Sequence, residues 1–386
     1  HALIWESNDD SVTYHFTVEE AALYNIEITY QVISYNANDF EFGLMIDGKY
    51  PFEETKMLKL PQMWKNADVK NTDSNGNEYA PEQVVSNSFA TRKLFDSSGA
   101  IVEDLQFAFS AGNHTVTLIK NSGAVVISDI ALSPPEVPGK YNEILKEYTN
   151  KGYSKYSGEP IFIEGEDAVL KTSRSLVPKC DNSSVNVHPN DAVKSVMNYI
   201  GDSNWSGPCE ELSWTFDAPQ DGLYRIGFNY KQDKVINGFS YRNLKIDGKI
   251  PFEETKCLRF DYGTNWQFMS VEDDGQDYLF YFTKGKHTIS MAVTLGEVGD
   301  YYLIMKDMVE EILKYADEVE MERGNGMTRN EFISEMNHQL KFVRTEYGFT
   351  QDVMAQVLGL SKKTLVEIEK GRASLGWTGA VALCTI

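Results

Sequence analysis

Apolar and polar residues alternate through LYNIEITYQV, with Tyr24, Ile26, Ile28 and Tyr30 on one side and Asn25, Glu27 and Thr29 on the other. A period of two marks a strand with one face buried. HTVTLI (His114–Ile119) and HTISMAV (His287–Val293) read the same way. Between such runs, Asp47–Gly48 and Asp247–Gly248 predict hairpin turns, because glycine accepts the positive φ these turns need. Many short strands punctuated by Gly, Asn and Pro predict antiparallel β-sandwiches.

The period changes after residue 300. In YYLIMKDMVEEILKYADEVE (Tyr301–Glu320) apolar residues recur at 301, 305, 308, 312, 315 and 319, which predicts a helix packed on a sandwich. The glycines of MERGNGM break it. Phe332, Met336, Leu340 and Val343 form a second helical stripe that Gly348 closes as a C-cap. Thr350 is placed to cap QDVMAQVLG, Gly359 to make a turn, and Ser361 to cap KKTLVEIEKG. A short helix, a glycine turn and a second capped helix predict a helix-turn-helix.

The chain also repeats itself. IDGKYPFEETK (Ile46–Lys56) and IDGKIPFEETK (Ile246–Lys256) differ at one position. Trp5–Tyr30 aligns with Trp205–Tyr230 at the same offset of 200, and Phe109–Leu118 aligns with Phe282–Met291 at an offset of 173. The first copy therefore holds 27 extra residues, and the polar stretch Asn66–Gln83 is the natural place for them. IFIEGEDA (Ile161–Ala168) opens the second copy and has no counterpart before Trp5, so the first is expected to lack an edge strand. The expected order is a first sandwich at 1–132, a linker with one short helix at 133–160, and a second sandwich at 161–300. A connector helix at 301–326 and an all-α helix-turn-helix domain at 327–386 would follow.

Two resemblances follow from these residues. EGEDA, SNWSGP, APQDGLYRIGFNY, KIDGK and FTKGKHTISM resemble carbohydrate-binding modules of the galactose-binding-like jelly-roll type. The paired eleven-mers are similar to the N-terminal half of extracellular solute-binding proteins of sugar ABC transporters in gut Firmicutes. That resemblance covers roughly residues 1–320 and implies carbohydrate, or a transporter component, as partner. It also implies that Glu164 and Glu166 ligate a structural Ca²⁺, the alternative being a solvated edge. Trp5, Trp64, Trp205 and Trp266 become candidates for stacking on sugars, although core packing explains most tryptophans in jelly rolls and the sequence does not separate the two uses.

FTQDVMAQVLGLSKKTLVEIEKG resembles the lambda-repressor/Cro-like family. The resemblance implies double-stranded DNA as partner, with Lys362, Lys363 and Glu367 toward base edges. Gln351, Thr364, Lys370 and Arg372 would sit at phosphates, and Arg344 would pair with Glu369 inside the domain. The family's fifth helix is missing, which bears on stability and on homodimer formation. On these grounds the leading expectation is sequence-specific DNA binding in the cytoplasm, and the alternative is an extracellular sugar-binding protein with the helix-turn-helix appended by fusion.

Composition narrows this further. A 42% apolar fraction is ample for buried cores, and no apolar run reaches membrane-spanning length. The net charge of −21 is uneven, since residues 327–386 hold seven Lys/Arg and six Asp/Glu. The chain opens at His1 with no basic and apolar leader, so either a signal peptide has been removed or the start lies upstream. Cys180, Cys209, Cys257 and Cys384 show no metal-binding spacing and read as free thiols, with a Cys180–Cys209 bridge as the alternative. HExxH, GxSxG, a phosphate-binding loop and GxGxxG are all absent. His114 and His287 recur before aligned strands and read as structural, and PFEETK reads as a repeated corner. The expectation is therefore a non-catalytic protein.

Overall fold

The computed structural model describes residues 2–6, 11–33, 38–69, 72–236, 238–296, 298–308, 341, 344–345, 350–357, 361–370 and 372. The chain divides into two compact units, His1–Glu297 and Val298–Ile386.

The first repeat supplies β1 (Leu3–Trp5), β2 (Ser11–Val18), β3 (Ala22–Val32), β4 (Phe40–Ile46), β5 (Leu58–Leu60), β6 (Trp64–Asn66), β7 (Gln83–Val85), β8 (Ala90–Lys93), β9 (Gln106–Phe109), β10 (Gly112–Ser122) and β11 (Val125–Ser133). One sheet runs β1-β11-β3-β8 with β9 also on β3, and the other runs β2-β10-β4-β5. Trp5, Ile28, Tyr30, Phe42, Phe107 and Leu118 fill the space between them. The alternation in β3 buries Ile26, Ile28, Tyr30 and Val32 as its pattern predicts. Asn25 departs from it: the side chain is buried and donates from Nδ2 to the Leu105 carbonyl at 2.8 Å, which removes the cost of burying an amide.

The second repeat supplies β12 (Leu170–Lys171), β13 (Pro178–Lys179), β14 (Tyr199–Ile200), β15 (Glu211–Ala218), β16 (Gly222–Tyr224), β17 (Gly227–Tyr230), β18 (Phe239–Ile246), β19 (Leu258–Asp261), β20 (Gln267–Ser270), β21 (Glu272–Asp273), β22 (Gln276–Asp277), β23 (Phe280–Phe282) and β24 (Gly285–Thr294). Its main sheet runs β19-β18-β24-β15-β12-β6-β7. The last two strands come from the first repeat, so its extra residues form a hairpin that extends the second repeat's sheet, with Trp64 opposite Lys171. The Asn77 side chain accepts the Ser195 amide at 2.9 Å, and Glu78 accepts that of Met197 at 2.8 Å. A buried Arg92–Glu211 ion pair at 2.5 Å ties β8 to β15.

The repeated eleven-mer is an architectural corner. Asp47 and Gly48 have φ of 50° and 77°, and Asp247 and Gly248 have 49° and 81°, the left-handed pair of a tight hairpin. A 3-10 turn follows in each copy, in which Thr55 and Thr255 donate to the Phe52 and Phe252 carbonyls at 2.6 and 2.7 Å. Phe52 then stacks on Phe107 and Phe252 on Phe280, stapling the corner to the core.

The expected all-α domain at 327–386 is overturned. The described chain is mostly β-sheet, and its helices are Tyr141–Asn150, 298–308, Gln351–Val357 and Lys362–Glu369, with isolated helical residues at 341, 344 and 345. Among the described residues no large all-α domain is present. The local signals did form: Ser361 caps its helix by accepting the Thr364 amide at 3.1 Å. Two helices of seven and eight residues, burying Met354, Ala355, Leu365 and Ile368, do not make a domain core. Residues 309–340, which hold most of the expected connector and the first tail helix, lie outside the described residues, as do Gly348, Gly359 and Cys384.

Candidate functional site

β17 and β20 pair antiparallel, with Asn229 opposite Phe268 and Gly227 opposite Ser270. Opposed residues share a face. Phe228, Tyr230 and Met269 pack against the second core, so Gly227, Asn229, Phe268 and Ser270 turn outward. Phe268 is 76% exposed. Its ring lies across the neighbouring strand because position 227 is glycine: a Cβ there would come within 2.5 Å of the ring.

Trp266 stands two residues before Phe268, just outside the strand, and is half-buried. Its indole N–H donates to Asp181 Oδ2 at 2.8 Å, and Tyr199 meets its ring edge-on at 5.6 Å. Lys231 Nζ lies 3.7 Å from the same Asp181 oxygen. Asp181 is held by Asn198, which accepts the Asp181 amide at 2.8 Å and donates back to its carbonyl at 3.1 Å. Burial opposes ionisation of the Asp181 carboxyl, but the Ser183 hydroxyl and amide, the Trp266 indole and Lys231 outweigh it and lower the pKa to about 2. At the far end Ser270 donates to Asp277, and Arg225 donates to the other Asp277 oxygen at 2.9 Å. Aromatic rings are thus set among a carboxylate, an ammonium, an amide and a guanidinium. Such a set can stack on C–H surfaces while exchanging hydrogen bonds with hydroxyls.

Of the four tryptophans singled out above, Trp266 adjoins this strand pair in the chain. Trp5 is 1% exposed and packs on Phe40, and Trp64 is 4% exposed, so neither ring is open to a sugar. Trp205 donates to the Glu210 carbonyl and carries the Arg242 guanidinium 4.4 Å over its ring. Sequence periodicity does not mark Phe268, because isolated exposed phenylalanines carry no spacing signal; the nearest clue is Gly227, diagonal to it on the neighbouring strand.

Glu164 and Glu166 do not build a cation site. Instead of a strand that would aim both carboxylates one way, the chain makes a 3-10 turn at Gly165–Asp167. Glu166 is buried, whereas Glu164 Oε1 lies 2.9 Å from His188 Nδ1. Among the described residues no group of three or more His, Cys, Asp or Glu side chains could hold a metal ion. Cys180, Cys209 and Cys257 are free thiols, and burial pushes the Cys209 thiol up to about 12.

In the tail, Lys362 is paired with Asp352 at 2.5 Å, and Arg372 lies 3.7 Å from Glu367. Arg344 pairs with Glu369, which also accepts from Gln351 at 2.7 Å. Thr364 is held by the Ser361 cap, Lys363 lies in the first turn of the helix and Lys370 ends it. The all-α domain that DNA-reading roles for these residues would need is not present among the described residues.

No protein-family model matches the chain, and no curated protein matches it. Solved structures with local likeness include a GH26-CBM35 β-(1,4)-mannanase of Podospora anserina, at 16% identity over 38% of this chain and 28% of that one, with a TM-score of 0.20. A β-glucosidase of Paenibacillus barengoltzii shares 12% identity over 34% of this chain and 10% of its own, at a TM-score of 0.18. A cycloisomaltooligosaccharide glucanotransferase from a Paenibacillus species, complexed with cycloisomaltoheptaose, shares 13% identity over 73% and 40%, at a TM-score of 0.21. All three are carbohydrate-active enzymes of which this chain spans less than half, and the likeness is distant.

Proposed function

We propose that the β-sheet unit is a carbohydrate-binding module without catalytic activity, and that its ligand lies on the Phe268–Trp266 face. The single observation behind this reading is the exposed Phe268 ring, laid over Gly227 beside Asn229, with Trp266 two residues before it in the chain and held by Asp181. A ring held open on a strand face offers a surface for stacking on C–H groups, and polar groups beside it suit a hydroxyl-rich partner better than an apolar one. The sequence resemblance to sugar-transporter solute-binding proteins supports an extracellular setting, with a transporter component as a second partner.

Affinity electrophoresis through gels containing mannan, dextran, xylan or pectin tests the reading. The protein is expected to be retarded by at least one polymer, and Phe268→Ala to migrate freely in that gel. Retardation equal in both proteins, or none in any gel, would remove the assignment.

A further inference from the structure

The second repeat lacks a strand that the first one has. In the first, β3 carries β8 and β9 along one side and β11 along the other. At the offset of 200, β3 corresponds to β16 and β17, which keep the first of these sides through β23 and β20. The counterpart of β11, at the offset of 173, is 298–306, and those residues are helical. On β16 the linker covers the other side: the Leu223 amide donates to the Ser154 carbonyl, and the Tyr156 amide to that of Leu223, both at 2.9 Å. Among the described residues β17 pairs with β20 alone. Ile26, Ile28 and Tyr30 are 0% exposed, whereas their equivalents Ile226, Phe228 and Tyr230 are only half-buried, and Gly227 and Asn229 are exposed.

The Val271 amide donates to the Ile226 carbonyl at 2.9 Å. Hydrogen-bonded pairs alternate along an antiparallel ladder, so the backbone groups of Phe228 and Tyr230 also face β20, and those of Gly227 and Asn229 face away from it. Such an edge is a template for a further strand. A second copy of the same edge is complementary to it. With a two-fold axis at Asn229, Arg225 stands opposite the partner's Asp233, Phe228 opposite the partner's Tyr230, and Lys231 opposite the partner's Gly227. Each contact occurs twice, and no like charges face one another.

We propose that the protein pairs with a second copy of itself through β17, making one sheet in the order β20-β17-β17-β20. Taken with the carbohydrate reading, on which this part rests, the pairing joins two binding faces. Phe268 lies opposite Asn229, so the row across the four strands is Phe268, Asn229, the partner's Asn229 and the partner's Phe268. At three strand spacings the two rings stand about 14 Å apart on one face. The partner thus supplies a second ring, which favours a polymer over a single sugar.

Sedimentation equilibrium of the full chain tests the pairing without any sugar. A reversible dimer is expected. Asn229→Pro removes the amide at the axis, leaves the β20 bonds and should give a monomer. Arg225→Glu sets like charges together at two places and should weaken the dimer by about tenfold; adding Asp233→Arg should restore it, which a local effect of losing the Arg225–Asp277 bond would not do. A monomeric parent, a dimer indifferent to Asn229→Pro, or a double variant that stays weak would overturn the proposal. Amide exchange that is already slow at Gly227 and Asn229 in a monomer would overturn it too, naming a segment of the same chain as the occupant. In the polymer gels Arg225→Glu should be retarded less than the parent, and the double variant equally. Retardation that ignores the dimer would strike the joined face and leave the Phe268 site, whereas a dimeric parent that no gel retards would strike the sugar site and leave the dimer.

Discussion

In each repeat a histidine is clasped between the hairpin aspartate and a main-chain carbonyl. His114 Nδ1 lies 2.6 Å from Asp47 Oδ2 and its Nε2 lies 2.9 Å from the Ser110 carbonyl; for His287 the partners are Asp247 at 2.7 Å and the Thr283 carbonyl at 2.8 Å. Both ring nitrogens face acceptors, so only the imidazolium satisfies both. The Asp47 hydrogen bond raises the pKa of His114; at His287 burial opposes the charge, but Asp247 and the Thr283 carbonyl outweigh it and that pKa also rises. A folded-state pKa above the unfolded one gives stability that is complete below about 6.5 and is lost as pH rises through the folded value. Melting temperature should therefore fall as pH rises past 6.5, and a His114→Gln, His287→Gln double variant should flatten that slope. An unchanged slope would assign the pH dependence elsewhere. Lys171 has the opposite sign. It is fully buried on Asn66 Oδ1, and burial lowers its pKa to about 8. The unfolded chain therefore holds this proton more tightly, and the buried charge costs most below pH 8, with stability rising from there toward 10.5. Lys171→Met should stabilise by about 1–3 kcal/mol at neutral pH, measured by urea titration, and the gain should vanish near pH 10.5. The histidines were legible because both are repeated. Nothing in its neighbours' spacing marked Lys171, since its burial comes from a strand of the other repeat.

At the scale of elements, the hairpin β6–β7 explains why the repeats are not two beads. The polar stretch Asn66–Gln83 was legible as an insertion, yet its destination was not, because strand addition across repeats depends on backbone edges rather than side-chain periodicity. The same limit applies to the tail: cap and spacing signals at Ser361 and Gln351 report short helices and say nothing about the size of the core beneath them. The Arg92–Glu211 pair is the polar part of the seam. Glu211 keeps its proton affinity low against burial mainly through Arg92. Arg92→Leu leaves that carboxylate buried with only Lys245 to offset it, and should cost about 3 kcal/mol in chemical denaturation. The double variant Arg92→Leu, Glu211→Leu should recover most of the loss; failure to recover would mean that Arg92 acts by packing, not charge.

For the whole molecule, a net charge of −21 favours a soluble, monodisperse chain and steers polyanions away from its acidic surface, which agrees better with a sugar ligand than with DNA. The duplicated corner and the alternating strands follow from apolar alternation and repeats, whereas the burial of Trp5 does not, because a tryptophan in a strand reads equally as core or as a stacking surface. The binding face does not, because it arises where a glycine on one strand clears room for a ring on another. The most direct measurement is titration calorimetry of an oligosaccharide, cut from whichever polymer retards the protein, into the parent chain and into Phe268→Ala, with melting temperatures recorded for both. The account predicts saturable binding to the parent, at least about tenfold weaker binding to the variant, and matching melting temperatures. Equal affinities for the two proteins would contradict it.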